Sequence, residues 1–476
     1  MDGARHPAVT MRMARRMKQT MVTVTLGLGC AAIMVSLAAG APREAEPLRL
    51  SDGPHLFLDD TLIARQDNLV RTIHQPERLP EPVVTGPEDK CFQPYMTILR
   101  DPGTGRFRIW YGVPENAGQS HVGYMESGDG IHWVRPHRVL DDPAPIQFGV
   151  SIIDEGEGYG DPSARFKYGW WHGGGLRVAA SPDGLVWTPM APGVVLPHNH
   201  DINSIFRDPI RNRYIAMVSS YTTGDKWAGN RRVTMTSVSD DLIHWREPWY
   251  VFTPDERDEG ETQFYCMAGI LARGDLLIGM LKVLRDDLPA DPGGPVAGIG
   301  YTVLAWSRDG EHWQRDREPF MDRSPEPGTW DHAMTWADCQ LVVGDETYIY
   351  YGGYARGHKI ERFTERQIGL ARMPRDRYVS RDAGEARGTL RTPLVTIRAS
   401  SMTVNADVDG ELRVRLLDAS GAPVPGLGWD DCRPIRGDSL AHSVSWAKPL
   451  ASVRGRPVQV EFALRRGRLY GFELGE

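Results

Sequence analysis

The chain has 476 residues, of which 25% are charged and 41% are hydrophobic, as in a folded protein of more than one domain rather than a disordered chain. Gly (51) and Pro (35) together account for 86 residues, and this content excludes a helical bundle, because long helices tolerate neither residue. The net charge of −7 argues against a nucleic-acid partner, which a strongly basic surface would favour.

Residues 1–41 have the pattern of a secretory signal peptide. A basic cluster ends at Lys18, an uncharged stretch runs from Met21 to Ala39, and small residues follow. We therefore expect cleavage near residues 39–41 and a secreted or periplasmic protein, with no stable membrane insertion after cleavage. The alternative is a retained anchor, because about 19 apolar residues are just enough to span a bilayer.

The segment 47–91 contains a strand pair around Leu56 and a turn at Asp59-Asp60, and it leads into a repeat over residues 92–380. Each copy contains the pattern Ser-x-Asp-x-x-x-Trp, which predicts a strand ending at Ser, a tight turn at Asp, and a new strand opened by Trp. Four copies begin at Ser127, Ser181, Ser239 and Ser307, and a degenerate fifth begins at Ala371.

Each copy is preceded by a second pair of strands joined by a turn rich in Asp, Pro and Gly, so that one repeat contains about four strands. Five such repeats predict a five-bladed β-propeller over residues 47–383, an architecture that leaves few strand edges exposed. The alternative is a β-sandwich with coincidental turns. Beyond the repeat, alternating strands and the turns Asp409-Gly410 and Ser420-Gly421 predict a C-terminal β-sandwich over residues 384–476. The expected fold class is therefore all-β.

A propeller followed by a β-sandwich on an exported chain resembles the superfamily of glycoside hydrolase families 32 and 43. The resemblance covers roughly residues 55–476 and is carried by the repeated turns, such as Ser307-Arg-Asp-Gly-Glu-His-Trp313, and by the carboxylates at strand starts. It implies a carbohydrate substrate and hydrolysis of a glycosidic bond by carboxylates at the central mouth of the propeller. The family motif Trp-Met-Asn-Asp-Pro-Asn-Gly is missing, which argues against a fructosidase.

Glycoside cleavage needs two carboxyl groups, a proton donor and a base or nucleophile. The first strand of each blade of a propeller lines the central channel, so we expect polar residues at these strand starts to converge. Glu261 is the candidate acid, because an apolar run follows it, although it also fits one more loop carboxylate in a charged stretch. Asp201 and Asp331 compete for the second role. Asp201 is preferred over Asp208, which the spacing to Tyr214 places in an outer turn.

Other polar and aromatic side chains, some of them at the strand starts, are candidates for binding sugar hydroxyls, an acidic sugar group or a pyranose face. They are Asp89, Gln93, Asn203, Gln263, Trp330, His332, His358, Lys282 and Trp171. A non-catalytic carbohydrate-binding propeller and another sugar-active enzyme, such as a glycoside phosphorylase or lyase, are the alternative functions.

No cofactor or metal is predicted. The cysteines lack metal-like spacing, and Cys266 and Cys339 lie in apolar runs where buried free thiols are expected, although an oxidising compartment would permit a disulfide. A central Ca²⁺ is compatible with the oxygen ligands expected in the channel, but no ligand set is specific enough to predict one.

Overall fold

The structure, a computed structural model, describes residues 46–116, 119–146, 148–358, 360 and 366–476. The chain divides at Glu46, and residues Pro47–Glu476 form one compact unit. The predicted signal peptide, residues 1–41, lies outside the described residues. The described body is nearly all-β, as predicted. Its helices are the α-helical turn Gly86–Asp89 and the 3₁₀ turns Pro162–Ala164 and Leu450–Val453, and none is long or apolar enough to cross a membrane.

Four sheets follow one another along the chain, and the last, of eight strands, contains two antiparallel halves joined by one parallel pair, Gly300↔Met334. We number the three smaller sheets as units one to three and the two halves as units four and five. Unit one consists of Gln93–Arg100, Phe107–Asn116, Gln119–Ser127 and Arg138–Val139. Unit two consists of Phe148–Asp154, Phe166–Trp171, Gly175–Ser181, Thr188–Pro189 and Leu196–Pro197. Unit three consists of Asn203–Asp208, Arg213–Gly224, Trp227–Ser239 and Trp249–Phe252. Unit four consists of Thr262–Arg273, Leu276–Arg285, Ile299–Ser307 and Gln314–Arg315. Unit five consists of Met334–Val343, Glu346–Tyr354, Gln367–Pro374 and the N-terminal strand Glu77–Arg78.

The repeated turns have one hydrogen-bond pattern. In the fourth copy the Oδ1 atom of Asp309 accepts from the backbone N–H groups of Glu311 and His312, at 2.8 and 2.7 Å, and the Gly310 N–H donates to the Ser307 hydroxyl at 2.8 Å. A strand ends at the Ser of each of the four copies, as predicted. The turns therefore recur because one carboxylate satisfies the backbone donors that a tight reversal leaves open.

The first strands of the five units contact one another in the order one, two, three, four, five and back to one, so they form a closed ring. A polar side chain joins each adjacent pair by a hydrogen bond to the neighbouring backbone. The five bonds are Thr97 Oγ1 to Val150 O (3.1 Å), Ser151 Oγ to Ile205 O (3.1 Å), Ser204 Oγ to Met267 O (2.7 Å), Gln340 Nε2 to Gly269 O (2.6 Å) and Met96 N to Asp338 Oδ2 (2.9 Å). This ring surrounds a channel with a cavity of about 260 Å³.

A further sheet combines the two ends of the described body. Its N-terminal strands are Leu48–Arg49, Gly53–Leu56, Arg65–Asp67 and Val70–Ile73. Its C-terminal strands are Val379–Ala383, Gly388–Arg391, Val395–Thr396, Ser401–Asp418, Ile435–Ser443 and Pro457–Gly475. The strand Pro457–Gly475 pairs along one edge with Ser401–Asp418 and along the other with the shorter strands. The sequence predicted that residues 48–73 and 379–383 belong to the propeller. Their strands instead form hydrogen bonds within this further sheet.

The four cysteines of the described body, Cys91, Cys266, Cys339 and Cys432, are buried and free. Burial raises the pKa of Cys266 to about 12, so this thiol stays protonated at neutral pH. The expectation of buried free thiols at Cys266 and Cys339 agrees with the structure, and the core has no cross-link between these positions.

Candidate functional site

The first strands of units three and four begin beside a group of polar and aromatic side chains, which we call the mouth cluster. Its members are His200, Asp201, Arg232, Gln263, Tyr265, Asp286 and His358. The cluster thus contains three of the residues predicted from the sequence, namely Asp201, Gln263 and His358. The other four members include the bases and the carboxylate that hold these three in place.

Asp201 is the carboxylate at the centre of this cluster. Its Oδ1 atom lies 2.9 Å from Nδ1 of His200, and the Tyr265 hydroxyl lies 3.4 Å from the same oxygen. Burial by itself would raise the pKa of Asp201, but the hydrogen bond and charge of His200 and the charge of Arg232 outweigh it, and the pKa is lowered. Asp201 is therefore ionised at neutral pH, which suits a base or nucleophile and not a proton donor.

Three successive side chains just before Asp201 bond to the second strand of unit three. His198 Nδ1 lies 3.0 Å from the Ser219 carbonyl, and His200 Nδ1 lies 3.0 Å from the Ser219 hydroxyl. Asn199 bonds both backbone groups of Tyr221: it accepts from the N–H at 2.8 Å and donates to the carbonyl at 3.2 Å. The aspartate therefore stands on a rigid support, as a site that must hold one geometry requires.

Asp286 directly follows the second strand of unit four and is a second carboxylate in the mouth cluster. It accepts hydrogen bonds from Arg232 at 3.3 Å, from Gln263 at 3.3 Å and from His358 Nδ1 at 3.2 Å. Burial lowers the pKa of His358 to about 4, against the opposing effect of Asp286, so the imidazole is neutral at pH 7. Asp286 acts as the anchor that orients these three side chains.

Aromatic rings form the walls of the mouth cluster. Tyr265 stacks on Trp336 with ring centroids 4.8 Å apart and meets His200 edge-on at 5.4 Å. Tyr221 lies on the hairpin of unit three, its ring is 5.9 Å from His200, and 43% of its surface is exposed. An exposed aromatic face beside the histidine that holds Asp201 is a surface on which the apolar face of a sugar ring can stack.

Glu261, the predicted acid, lies at the rim of the mouth and not inside it. Its side chain is 51% exposed, and its nearest basic partner is Arg231, 3.7 Å away. Its backbone N–H donates to Asp287 at 3.2 Å, which fixes the start of the first strand of unit four. It is two residues from Gln263, so it borders the mouth cluster without contacting Asp201.

The structure does not bring Asp331 and Trp330 to the mouth cluster. Asp331 lies between units four and five, where it pairs with Arg78 at 3.3 Å and accepts from the Tyr351 hydroxyl at 3.0 Å. Trp330 stacks on Tyr351 at 5.4 Å and donates to the carbonyl of Pro80 at 3.1 Å. Both contacts join the N-terminal strand to unit five, which is a structural role.

His332 and Asp89 also have partners away from the mouth cluster. The ring nitrogens of His332 lie 2.9 Å from the Ser324 carbonyl and 2.9 Å from Asp291, so the histidine joins two loops. Asp89 is buried and binds Arg135 through both carboxylate oxygens, each at 2.8 Å. Contacts of this kind stabilise loops and leave no donor for a sugar.

Lys282 and Asn203 line the central channel below the mouth cluster. Lys282 is buried, is ion-paired with Asp338, and lies 5.2 Å from the ring of Tyr95. Asn203 is within 3.4 Å of His198, and its Oδ1 atom has no hydrogen-bond partner among the described residues. These two predicted residues belong to the channel wall.

The remaining predicted residues are Trp171 and Gln93. Trp171 packs against Phe148, at the start of unit two, with ring centroids 6.3 Å apart. Gln93 begins the first strand of unit one, and its side chain lies outside the described part of the chain.

No group of three or more His, Cys, Asp or Glu side chains in the described ranges is arranged to hold a metal ion. The mouth cluster itself combines two carboxylates with arginine, amide and imidazole donors. Such a set can bind hydroxyl groups and transfer protons with its own side chains.

Sequence reasoning missed Arg232, Asp286 and Tyr265. Arg232 lies on the third strand of unit three and Asp286 directly follows the second strand of unit four, whereas the sequence pattern pointed mainly to the starts of the first strands. Thr262 pairs with Arg285, so Asp286 lies beside the strand start that contains Gln263. This proximity depends on the pairing of two strands, which cannot be read from the sequence. Tyr265 was taken as part of an apolar run, although its hydroxyl faces Asp201.

Comparison with known proteins gives only distant structural similarity. No family model matches the sequence, and no curated protein does. Similar solved structures include a protein described as a glycoside hydrolase (13% identity, 63% of this chain and 92% of that chain, TM-score 0.45). A β-1,2-mannobiose phosphorylase from Listeria innocua is similar at 12% identity (63% and 96% coverage, TM-score 0.43). A family 32 β-fructofuranosidase from Bombyx mori is similar at 11% identity (85% and 94% coverage, TM-score 0.38).

Proposed function

We propose that the protein is a sugar-active enzyme that hydrolyses a glycosidic bond at the mouth of a five-bladed β-propeller. Five consecutive antiparallel units and the closed ring of their first strands support the five-bladed form. We further propose that the second domain is a β-sandwich built from residues 48–73 and 379–475, because their strands share one hydrogen-bonded network and one apolar core.

The observation that carries the functional proposal is the position and ionisation of the Asp201 carboxylate. A partly buried carboxylate with a lowered pKa, two residues before a strand that lines the channel and held by a histidine beside an exposed aromatic ring, is suited to activate water or attack an anomeric carbon. In the proposed reaction Asp201 is the base or nucleophile, and Glu261 at the rim is the proton donor to the leaving oxygen. Gln263 and His358 bind hydroxyl groups, and Asp286 holds them in position.

The test is a screen of the purified protein against plant, algal and microbial glycans, with released sugar as the readout. Asp201→Asn should abolish release and Glu261→Gln should reduce it. Asp101→Asn is the matched control, because Asp101 lies in an exposed outer turn where it bonds only its own loop. Full activity in both Asp201→Asn and Glu261→Gln would refute the assignment. Binding of a glycan without any product would instead identify a carbohydrate-binding module.

We also propose that residues 1–41 direct export. A fusion of these residues to a reporter enzyme should be recovered outside the cytoplasm in processed form. Replacement of the basic cluster that ends at Lys18 should retain the reporter inside the cell. An unprocessed, membrane-bound fusion would indicate an anchor.

A further inference from the structure

One arginine of the described body is buried without a carboxylate. Three arginines are buried, namely Arg366, Arg377 and Arg381. Arg377 pairs with Asp438, and Arg381 pairs with Asp60 at 2.7 Å. Within the described ranges Arg366 has one hydrogen bond, from Nη2 to the carbonyl of His358 at 2.9 Å, and no carboxylate at ion-pair distance.

The guanidinium of Arg366 has a donor atom that no described residue satisfies. Its face covers the ring of Tyr354 at 4.5 Å, so the edge carries the remaining N–H groups. The Nε atom is buried and has no hydrogen-bond partner among the described residues, although only 1% of the residue is exposed. A buried cation with free donors is unfavourable unless an acceptor joins it, and a ligand is one source of that acceptor.

Arg366 lies next to the mouth cluster. It bonds the backbone of His358, whose ring lies 5.5 Å from that of Tyr265, and Tyr265 in turn contacts Asp201. Burial is the main reason that the pKa of Tyr265 is raised; the charge of Asp201 raises it further and that of Arg366 lowers it. The contacts that link Arg366 to the candidate catalytic carboxylate therefore pass through two side chains, those of His358 and Tyr265.

We propose that Arg366 binds an oxyanion of the ligand, and that the substrate is a sugar bearing a carboxylate, such as a uronic acid. The planar guanidinium fork matches a carboxylate in two parallel hydrogen bonds, which a neutral hydroxymethyl group cannot form. This inference rests on the proposed function, because it names the substrate class of the same site. Inorganic phosphate offers the same oxyanion chemistry and is the second source that the test must separate.

The test measures binding by calorimetry in the full chain carrying Asp201→Asn, so that turnover does not disturb the titration. The probes are glucuronate against glucose, galacturonate against galactose, and inorganic phosphate alone. One of the uronates should bind about tenfold or more tightly than its neutral sugar, since a charge-assisted hydrogen bond is worth on the order of one decade in affinity. Arg366→Gln should remove this preference. Arg246→Gln, at a side chain 61% exposed on the outer surface, should keep it.

The outcomes separate the two proposals. Equal affinity for uronate and neutral sugar, or a preference that survives Arg366→Gln, would overturn the oxyanion site. Tight binding of phosphate that competes with the uronate supports the site and names phosphate as its ligand. A uronate preference in a protein that cleaves no glycan supports the oxyanion site while the hydrolase proposal fails. If Arg366→Gln does not fold, Arg366→Lys should bind uronate more weakly than the parent, and glucuronate should raise the parent's melting temperature more than glucose does.

Discussion

Asp201 and Asp331 lie in two regions that are alike in sequence but differ in structure. Each is an aspartate two or three residues before the first strand of its unit, Asn203–Asp208 or Met334–Val343. Asp201 is partly exposed and held by a histidine and a tyrosine near an exposed aromatic ring, whereas Asp331 is buried and held by Arg78 and Tyr351 of unit five. The partners of a carboxylate, more than its place along a strand, therefore decide whether it is available to a ligand.

The largest effect is expected from Asp201→Asn. Loss of a general base or nucleophile should lower kcat/KM by about 10²- to 10⁴-fold, because an amide neither accepts the proton nor attacks. Steady-state kinetics on the substrate found by screening measures this change, with circular dichroism as the control for folding. A variant that is folded and retains more than half of the activity would end the distinction between the two aspartates.

Asp331→Asn should damage stability and not chemistry. It leaves Arg78 without its carboxylate partner in a largely buried setting, at a cost of about 3 kcal/mol in the free energy of unfolding. Urea denaturation measures this cost, and kcat of the remaining folded protein should stay near that of the parent. The double variant with Arg78→Met is the matched control and should lose less than the sum of the single changes. A stable Asp331→Asn protein with a large loss of kcat would place Asp331 in the reaction.

Asn199→Ala tests whether the support of Asp201 matters separately from Asp201 itself. The variant loses both hydrogen bonds to Tyr221 and should lower kcat about tenfold, with a loss of about 1–2 kcal/mol in stability. Because the pKa of Asp201 is lowered by His200, loosening this loop should move the acidic limb of the pH profile of kcat/KM upward. Unchanged kcat and an unchanged acidic limb would show that the loop needs no such support.

The smallest effect is expected at Asp255, an aspartate near the surface. The hydrogen bond from Arg317 lowers its pKa to about 2, so its contribution to stability is present above the unfolded value near 4 and is lost as the pH falls toward 2. Asp255→Asn should remove that part of the acid dependence and cost less than about 1 kcal/mol at pH 7, as exposed ion pairs do. Unfolding measured at pH 7, 4 and 2.5 checks both statements. An equal loss at all three pH values would contradict the assigned ion pair.

Much of the fold could be predicted from the sequence because it repeats. The Ser-x-Asp turns specify strand ends by local hydrogen bonds, so Ser127 and Ser307 end strands as expected. The assignment of residues 48–73 could not be read in the same way. Their short strands pair with residues more than 300 positions away, such as His55 with Phe472, and no local pattern records such a pairing.

The candidate site was predictable in part for the same reason. The strand-start rule indicated Asp201 and Gln263, which both belong to the mouth cluster together with His358, a separately predicted sugar-binding residue. It also indicated Asp331 and His332, because the rule takes no account of their partners in the folded protein. Arg78 pairs with Asp331, and Asp291 contacts His332. Asp286 and Arg232 reach the mouth from later strands, through cross-strand register, and such register is a property of the folded sheet.

The pairing of Glu77–Arg78 with Gln367–Pro374 has a consequence for how the protein is made. The strand that completes unit five emerges from the ribosome almost 300 residues before its partner. Until then the ring of five units has an open seam, and unit five lacks its outer edge. Contacts of such long sequence separation slow folding, so closure of the ring is a late step in folding.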